Sequence, residues 1–310
     1  MAKLGTAVER LLGIKYPVLL GGMAGITDHA LTSAVSEAGG LGTLAGALET
    51  GDTMSAQIKK TRELTGKPFA VNIPIHSGKA EELVEAVIRD DVRIVITSAG
   101  DPGVFTKRLK EAGITVIHVV PTPRLARRAE EAGVDAVIAE GFESGGRASK
   151  FEIGTLALIP QVSDAVKIPV IAAGGISDAR GYLAARILGA SGVSIGTAFL
   201  ACRECRRIGD LYREKLLAAD ASDTAIAARG LRPSRVLKNS FYHTVEQKLA
   251  DGSSQEEIMH LIYSQDLAGE ERFFSCGQGV GLIKNIRSAG EIIQDIVGGA
   301  GKILREPEAE

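Results

Sequence analysis

The sequence of 310 residues contains no tryptophan, three cysteines, 4% aromatic residues and almost no net charge, with 36 basic and 38 acidic residues. A near-neutral chain with few aromatic rings lacks the basic surface and the stacking platforms of a nucleic-acid-binding protein. No run of 18 apolar residues occurs, so we expect no membrane span. The odd, low cysteine count and the lack of an apolar signal-peptide run after Met1 favour a cytoplasmic protein. We expect a small-molecule substrate, and the sequence is compatible with a homodimer.

Two of the cysteines, Cys202 and Cys205, form a C-x-x-C pair. Such pairs occur in redox sites and in zinc sites, which need a second pair or histidines nearby. The flanking sequence contains neither. We therefore predict two unpaired cysteines at the start of a helix, and no metal site.

Glycine is the residue in excess, with 37 residues, which is about 12% of the chain against roughly 7% in an average protein. The glycines have no G-X-Y period, which excludes collagen. Only ten prolines and 45% hydrophobic residues argue against disorder. The positions of the glycines along the chain are therefore what we use to predict the fold and the functional site.

Eight short apolar runs alternate with charged, amphipathic segments in the first 200 residues. Continuous apolar runs indicate parallel strands that are covered on both faces. The runs are Tyr16–Gly22, Leu41–Gly46, Phe69–Pro74, Arg93–Gly100, Thr115–Pro121, Ala136–Gly141, Pro169–Gly175 and Gly192–Leu200. Glycines that would end helices in the left-handed conformation follow three helical segments, at Gly39, Gly113 and Gly133. Eight strand–helix units predict an α/β fold, the (β/α)8 TIM barrel, and the glycine motifs of Rossmann and P-loop folds are absent.

The strand–helix rhythm stops after residue 203. Residues 204–286 contain the charged helical stretches Asp210–Ala219, Thr244–Asp251 and Gln255–Ser264 and no strand-like run. Ser288–Leu304 has the pattern of a closing amphipathic helix. We predict a barrel of residues 1–203 and 287–310, with a helical insertion or lid of residues 204–286 after strand eight that can cover a substrate.

Glycine clusters follow predicted strands one, six, seven and eight, at the end of the barrel where active sites lie. Strand seven ends with Gly174 and Gly175, and strand eight with Gly196. Backbone N–H groups after these two strands can bind a phosphate, and Asp178 is placed to cap the following helix. The clusters predict a phosphorylated cofactor or substrate, with FMN a leading candidate; the alternative is that the glycines only permit tight turns.

At these residues the sequence resembles the FMN-dependent nitronate monooxygenase (2-nitropropane dioxygenase-like) superfamily. That superfamily also contains the FMN-dependent enoyl-ACP reductases and NADH:quinone reductases. The resemblance covers nearly the whole chain and rests on Pro17–Met23, Ala38–Leu44, Lys67–Asn72, Gly133–Gly146, Ile168–Asp178 and Gly192–Leu200.

The resemblance implies that FMN binds at the ends of the barrel strands. Backbone groups of Gly22, Met23 and Ala24 would pass near the flavin ring, Asn72 would hydrogen-bond the ring or the ribityl chain, and Glu140 has the position of an acid that contacts the ribityl chain. The remaining residues that the resemblance assigns to FMN are Ser144, Gly145, Gly146, Gly174, Gly175, Gly196 and Thr197 at the ribityl chain and phosphate, and Gln278 near the ring.

One position departs from the family pattern E-[AS]-G-G-H, whose histidine is the acid/base group at the flavin. This sequence has Arg147 there. Arginine stays protonated at physiological pH, so it cannot accept a proton from a substrate. It can hold an anionic or carbonyl oxygen, or a pyrophosphate. The alternative is a surface arginine beside a site that has fewer functional residues than is usual in the family.

Another residue would then supply the acid/base group. His76 is our preferred replacement, because a residue just past a barrel strand faces the site. His118 lies inside strand five, where we expect it to point inward with a pKa lowered by burial. Lys150 is another candidate cation, and the remaining histidines, which are expected to be structural or solvated, are His29, His243 and His260.

Three functions remain open from the sequence. The first is an FMN enzyme that uses NADH or NADPH to reduce an activated C=C bond, such as an enoyl thioester, or a quinone. Residues 118–122 resemble the enoyl reductases and residues 200–205 the quinone reductases. The second is oxidation of alkyl nitronates with O2, and the third is a non-catalytic flavin-binding barrel, because the usual histidine is missing. For an enzyme, we predict Arg147 and His76 as the catalytic residues.

Overall fold

The computed structural model of the protein describes residues 6–263 and 272–305. Eleven strands occur in this part of the chain. In chain order they are β1 (Val18–Leu20), β2 (Gly42–Ala45), β3 (Phe69–Pro74), β4 (Ile94–Ser98), β5 (Thr115–Val120), β6 (Ala136–Glu140), β7 (Gly146–Arg147), β8 (Val170–Ala173), β9 (Gly192–Ile195), β10 (Thr224–Ala227) and β11 (Ser234–Leu237).

The described residues also contain thirteen α-helices and three short 3-10 helices. The α-helices are α1 (Ala7–Leu12), α2 (His29–Glu37), α3 (Gly51–Leu64), α4 (Ala80–Arg89), α5 (Thr106–Glu111), α6 (Pro123–Glu131), α7 (Thr155–Ala165), α8 (Ala179–Ile187), α9 (Thr197–Leu200), α10 (Asp210–Ala218), α11 (Ser240–Ala250), α12 (Gln255–Tyr263) and α13 (Ala289–Ile303). The 3-10 helices are Pro102–Val104, Ala221–Asp223 and Gln278–Leu282.

Eight parallel strands form the barrel, in the order β1, β9, β8, β6, β5, β4, β3, β2. Leu19 of β1 makes a parallel bridge to Leu41, which precedes β2, so the two ends of the sheet meet. Each of the eight predicted apolar runs contains one of these strands. The predicted (β/α)8 barrel is confirmed.

Side chains alternate across each strand and build two apolar layers. The inner layer includes Leu19, Ala70 and Ile117, and Val8 and Leu12 of α1 pack against it near the amino-terminal ends of the strands. The outer layer lies between the strands and the surrounding helices. Position along a strand therefore decides whether a side chain faces the interior of the barrel or the helices.

Local signals in the sequence identify several helix ends correctly. Gly39, Gly113 and Gly133 follow α2, α5 and α6 with φ of 92°, 75° and 87°, as a left-handed terminator requires. Asp178 caps α8 by accepting from the N–H groups of Arg180 and Gly181. Ser288 caps α13, which is the predicted closing helix.

The insertion differs from its prediction. Helices α10, α11 and α12 lie at the three predicted places, although Ser264, the predicted end of the last, lies outside the described residues. The prediction that the insertion has no strands is wrong, because β10 and β11 form an antiparallel pair and β11 also pairs with β7. Each strand has only four residues, which is too short for an alternating pattern to stand out in the sequence. No described helix is long and apolar enough to cross a bilayer.

Candidate active site

Asn72 lies on the inner face of β3, near the carboxyl end of the barrel, and is only 9% exposed. Its Nδ2 donates to the carbonyl oxygen of Ile96 at 3.0 Å and to Ser98 Oγ at 3.3 Å. The backbone of Gly22 passes directly against this amide, since a Cβ added at Gly22 would lie 2.8 Å from Asn72 Cβ. The loop after β1 can approach Asn72 this closely only with glycine at this position.

Met23 and Ala24 continue this loop, which forms a tight turn. The carbonyl oxygen of Met23 accepts from the N–H groups of Ile26 and Thr27 at 2.9 and 3.0 Å. Met23 also borders the end of β9, because its Sδ would lie 3.5 Å from a Cβ added at Gly196. Ala24 is exposed. The loops after β1 and β9 therefore share one edge of the barrel mouth.

Glu140 is the last residue of β6, on the same inner face as Ala136 and Ile138. Ser144 Oγ donates to Glu140 Oε1 at 2.7 Å. Burial raises the pKa of Glu140, and the hydrogen bond from Ser144 acts in the opposite direction. Glu140 and Ser144, both predicted site residues, are thus in direct contact.

Gln278 is far from β6 in sequence, but the structure brings it to the loop after that strand. Its N–H group donates to the carbonyl oxygen of Glu143 at 2.9 Å, and the N–H group of Gly277 donates to Thr197 Oγ1 at 2.9 Å. Gly145 packs so closely that an added Cβ would lie 2.5 Å from the carbonyl carbon of Cys276. This contact joins the loops after β6 and β9 to the end of the insertion.

The loops after β8 and β9 form a corner rich in backbone donors. Gly174 has φ of 102°, and a Cβ there would lie 2.8 Å from the carbonyl oxygen of Gly141. Within residues 6–263 and 272–305, the N–H groups of Gly175, Ile176, Gly196 and Thr197 donate no hydrogen bond. Unpaired backbone N–H groups of this kind bind phosphate.

Glu143 is a residue that the sequence analysis did not single out. Helix α7 begins after Gly154, which has no capping side chain. The carboxylate of Glu143 accepts from the N–H group of Thr155 at 2.8 and 2.9 Å and from Thr155 Oγ1 at 2.8 Å. A carboxylate at a helix N-terminus is stabilised by the helix dipole. This cap holds the loop after β6 against the start of α7. Because Glu143 lies far from α7 in sequence, the local pattern of a helix cap could not reveal it.

Arg147 lies beside the insertion. It pairs with Ser234 across β7 and β11, and Gly146 pairs with Arg235. Its side chain is exposed and makes no hydrogen bond or ion pair with any residue that the structure describes. Lys150, in the same loop, is also exposed, with its Nζ 5.6 Å from the ring centroid of Phe151.

The histidines occupy different environments. His76 follows β3, its backbone N–H donates to the carbonyl oxygen of Ala99 at 3.1 Å, and its side chain is exposed. His29 lies at the start of α2, with its Nδ1 2.8 Å from Gln57 Oε1. His243 and His260 lie on α11 and α12. Among the described histidines, His76 is the one in a loop at the carboxyl end of a barrel strand, two residues after β3.

His118 is buried, but the expectation that it points inward is wrong. It shares the outer face of β5 with Val116 and Val120, and its Nδ1 lies 2.7 Å from Thr97 Oγ1. Burial lowers the pKa of His118 to about 4, and the nearby Asp101 opposes this shift. The predicted burial and lowered pKa are confirmed, but the side chain lies between the sheet and the helices, outside the barrel.

All three cysteines are free and buried, which confirms that Cys202 and Cys205 are unpaired. They follow α9 in a turn and do not begin a helix as predicted. Burial raises the pKa of Cys205 to about 11 and that of Cys276 to about 12. The part of the chain that the structure describes contains no group of histidine, cysteine, aspartate or glutamate side chains that could hold a metal ion.

Residues 6–299 match the model of the nitronate monooxygenase family. The chain belongs to the nitronate monooxygenase family. Among solved structures, this family member is similar to FabK from Thermotoga maritima, with a TM-score of 0.90 and 40% identity over 96% of this chain and 97% of that chain. It is also 33% identical to a protein of Staphylococcus saprophyticus named probable nitronate monooxygenase, over 97% of this chain and 99% of the relative.

A third relative of this family member is a Rhodococcus jostii enzyme. It is named (3aS,4S,5R,7aS)-5-hydroxy-7a-methyl-1-oxo-octahydro-1H-indene-4-carboxyl-CoA dehydrogenase. The two proteins are 37% identical over 79% of this chain and 69% of the relative. These three relatives together indicate that this family member is an oxidoreductase enzyme. The family to which the chain belongs uses FMN.

The residues of this nitronate monooxygenase family member fit FMN. A phosphate needs several donors at one point, and the corner after β8 and β9 provides unpaired N–H groups between glycines. Glycine at positions 22 and 145 lets the loops after β1 and β6 lie directly against Asn72 and Cys276, where a Cβ would clash, and this close packing shapes the mouth at which a flavin ring would lie. The buried amide of Asn72 offers polar atoms at the same mouth.

Proposed function

We propose that this protein uses NADH or NADPH to reduce the C=C bond of an α,β-unsaturated acyl thioester. The observation that carries the proposal is Arg147, a permanent cation in place of the family histidine, exposed beside the loop after β6 and unpaired within the described residues. A site with a fixed cation is suited to a reaction that develops negative charge on a substrate oxygen. It is poorly suited to removing a proton from a neutral carbon acid.

The proposed reaction adds a hydride to the β-carbon of the thioester and a proton to its α-carbon. When bound, FMN carries the hydride from the nicotinamide to the substrate. Arg147 would donate hydrogen bonds to the thioester carbonyl oxygen, where negative charge develops. His76, exposed just past β3, would supply the proton to the α-carbon as a general acid.

The predicted site residues would hold the cofactor in three groups. Backbone groups of Gly22, Met23 and Ala24, with Asn72 and Gln278, would lie beside the ring. Glu140 and Ser144 would contact the ribityl chain. The residues that would hold the phosphate and the adjoining ribityl atoms are Gly145, Gly146, Gly174, Gly175, Gly196 and Thr197.

The relatives support a thioester as the substrate class. The Rhodococcus relative is named for a carboxyl-CoA substrate, and the structure resembles FabK over nearly its whole length. A quinone is the other acceptor that the sequence left open. Its reduction also develops negative charge on an oxygen that Arg147 could hold, so the acceptor is decided by which of the two compounds restores the flavin band.

Anaerobic reduction tests the proposal. The purified protein, loaded with FMN, is mixed with NADH or NADPH, and the visible flavin band is followed. We expect the band to bleach and to return when crotonyl-CoA is added, with conversion to butyryl-CoA. Return of the band with a quinone and not with the thioester would contradict the substrate class, and a band that no nicotinamide bleaches would contradict the reductase.

Oxidation of alkyl nitronates is the second candidate. The family model and the staphylococcal relative, which spans 97% of this chain, favour it. A nitronate is already an anion, so it needs no base, and Arg147 would bind it directly. For this function we expect O2 consumption with a pre-formed alkyl nitronate and little with the neutral nitroalkane, whereas a reductase would need a nicotinamide.

A further inference from the structure

Asn72 and Ser98 form a polar pair on the inner face of two neighbouring barrel strands. Asn72 lies on β3, and Ser98 ends β4 on the same face as Ile94 and Ile96. Both hydrogens of Asn72 Nδ2 are used within the barrel wall, one by the carbonyl oxygen of Ile96 at 3.0 Å and one by Ser98 Oγ at 3.3 Å. The amide therefore has no hydrogen left to donate to a ligand.

The carbonyl group of Ile96 also decides which way the amide of Asn72 points. Exchanging the amide oxygen and nitrogen would set Oδ1 against this carbonyl oxygen, and two acceptors cannot bond to each other. Oδ1 instead lies toward the loop after β1, 3.1 Å from the position of a Cβ added at Gly22. It accepts no hydrogen bond from any residue that the structure describes, although Asn72 is buried. A buried acceptor without a donor is costly, and a ligand that donates to it removes that cost.

The hydroxyl group of Ser98 complements this acceptor. Its oxygen accepts from Asn72, and its hydrogen has no acceptor within residues 6–263 and 272–305. A hydroxyl group can donate one hydrogen bond while it accepts another. The pair therefore offers a ligand one acceptor, Asn72 Oδ1, and one donor, the Ser98 O–H group, on adjacent side chains.

The pair lies directly across the barrel mouth from the corner after β8 and β9. In the order of the closed sheet, β6 and β5 separate β8 from β4, and β1 and β2 separate β9 from β3. A ligand that has its phosphate at the corner and crosses the mouth therefore brings its other end to Asn72 and Ser98. In FMN, that other end is the flavin ring.

The two ends of a flavin ring differ in chemistry. The dimethylbenzene end presents only carbon and hydrogen, so it can satisfy neither member of the pair. The pyrimidine end has an N3–H group between two carbonyl groups, which places a donor directly beside an acceptor. This end is complementary to the acceptor of Asn72 and the donor of Ser98.

We propose that Ser98 is a cofactor-binding residue, which donates to a carbonyl oxygen of the flavin pyrimidine ring while Asn72 Oδ1 accepts from N3–H. Ser98 also positions Asn72, because its oxygen holds the second hydrogen of the amide. Reduction of the flavin places more negative charge on these carbonyl oxygens, so a donor at this place favours the reduced form. The inference goes beyond the proposed function, because it concerns the cofactor and applies to a thioester reductase and a nitronate oxidase alike.

Flavin analogues test the two hydrogen bonds separately. The full-length protein is freed of flavin, and the Kd values of FMN, N3-methyl-FMN, 2-thio-FMN and 4-thio-FMN are measured by titration, which needs no turnover. We expect the wild type to bind N3-methyl-FMN about tenfold or more weakly than FMN. It should bind one of the two thio analogues about 2- to 12-fold more weakly than FMN, because sulfur is a weak acceptor and one neutral hydrogen bond is worth this factor.

Variants assign each effect to a side chain. Ser98→Ala should abolish the discrimination against that thio analogue, weaken FMN binding by a similar factor and lower the reduction potential of bound FMN. Ser98→Thr, which keeps the hydroxyl group, should retain the discrimination. Asn72→Ala should abolish the discrimination against N3-methyl-FMN, because it removes the acceptor and leaves room for the methyl group.

Thr97→Val is the matched control for Ser98→Ala. Thr97 precedes Ser98 on β4, and its hydroxyl group faces the helices, where it lies 2.7 Å from His118 Nδ1. Valine has the same shape without the hydroxyl group, so this variant removes a hydrogen bond from the same strand on the opposite face. It should leave every ratio of Kd values unchanged, even where it lowers the Tm.

The outcomes separate this inference from the proposed function. Discrimination against the thio analogues that is the same in the wild type and Ser98→Ala would overturn Ser98 as a cofactor-binding residue. A wild-type protein that binds N3-methyl-FMN as tightly as FMN, or binds no flavin, would overturn the position of the pyrimidine ring. Failure to reduce crotonyl-CoA would overturn the proposed function and would leave the ratios of Kd values, and with them this inference, unaffected.

Discussion

Arg235 donates two hydrogen bonds to the carbonyl oxygen of Phe142, from Nε at 3.2 Å and from Nη2 at 3.1 Å. Its guanidinium also lies 5.1 Å from the centre of the Phe142 ring, and its Nη1 donates to Thr224 Oγ1 at 3.2 Å. Phe142 comes two residues after the end of β6, so this buried arginine ties the small sheet of the insertion to the loop that contains Ser144.

Replacing Arg235 should loosen that loop. In Arg235→Gln the Phe142 carbonyl loses two charge-assisted hydrogen bonds, so we expect the free energy of unfolding to fall by about 2–3 kcal/mol. FMN should bind more weakly, with partial recovery in Arg235→Lys. Urea unfolding and FMN titration measure both effects. Lys238→Gln is the control on the segment after β11, because among the contacts that the structure describes the side chain of Lys238 bonds only to the carbonyl oxygen of Ser222. Unchanged FMN affinity in Arg235→Gln would show that the loop is held without the arginine.

Arg147 should control the chemistry. If it stabilises negative charge on the substrate oxygen, Arg147→Ala should lower kcat/KM for thioester reduction by about 100-fold, the effect of losing one such donor. Arg147→Lys, which keeps the charge without the paired donors, should lose less. Arg147→His should gain activity toward neutral nitroalkanes, with a rate that rises with pH as the imidazole loses its proton. An Arg147→Ala enzyme with full activity would place the arginine outside the reaction.

Gly145 should be required for FMN binding. A Cβ at this position would lie 2.5 Å from the carbonyl carbon of Cys276 and 2.6 Å from the nitrogen of Gly277. Gly145→Ala must therefore push apart two backbone segments, at a cost of about 1–3 kcal/mol, and we expect the Kd of FMN to rise about tenfold or more. Gly209→Ala has open space around the added methyl group and should leave the flavin affinity unchanged. Equal Kd values for the two variants would refute the predicted close approach.

His118 should make the protein less stable in acid. Its pKa is near 4 in the folded state and about 6.5 in an unfolded chain, so the unfolded chain binds more protons between these values. The folded state carries no penalty above pH 6.5 and loses stability as the pH falls toward 4. At pH 4.5 the loss is on the order of 2 kcal/mol. Urea unfolding of the wild type and His118→Gln at pH 7 and pH 4.5 should show a smaller loss in the variant, and equal losses would contradict the shifted pKa.

Much of the barrel was predictable because its signals are local. Each of the eight apolar runs contains a barrel strand, and Gly39, Gly113 and Gly133 end helices in the left-handed conformation. These features depend on residues within a few positions of one another, so the sequence alone determined them. The glycine excess also predicted where backbone N–H groups would be left open, at the ends of β8 and β9.

Contacts between distant parts of the chain decided the rest. Strand β11 pairs with β7 almost ninety positions earlier in the chain, Gln278 reaches Glu143, and Arg235 reaches Phe142. The register of β5 turned His118 away from the barrel interior, although its sequence context pointed to the site. Such pairings gain their free energy from burial and hydrogen bonds that exist only when the chain is folded. Only the tertiary structure therefore decided which residues of the insertion contact the candidate site.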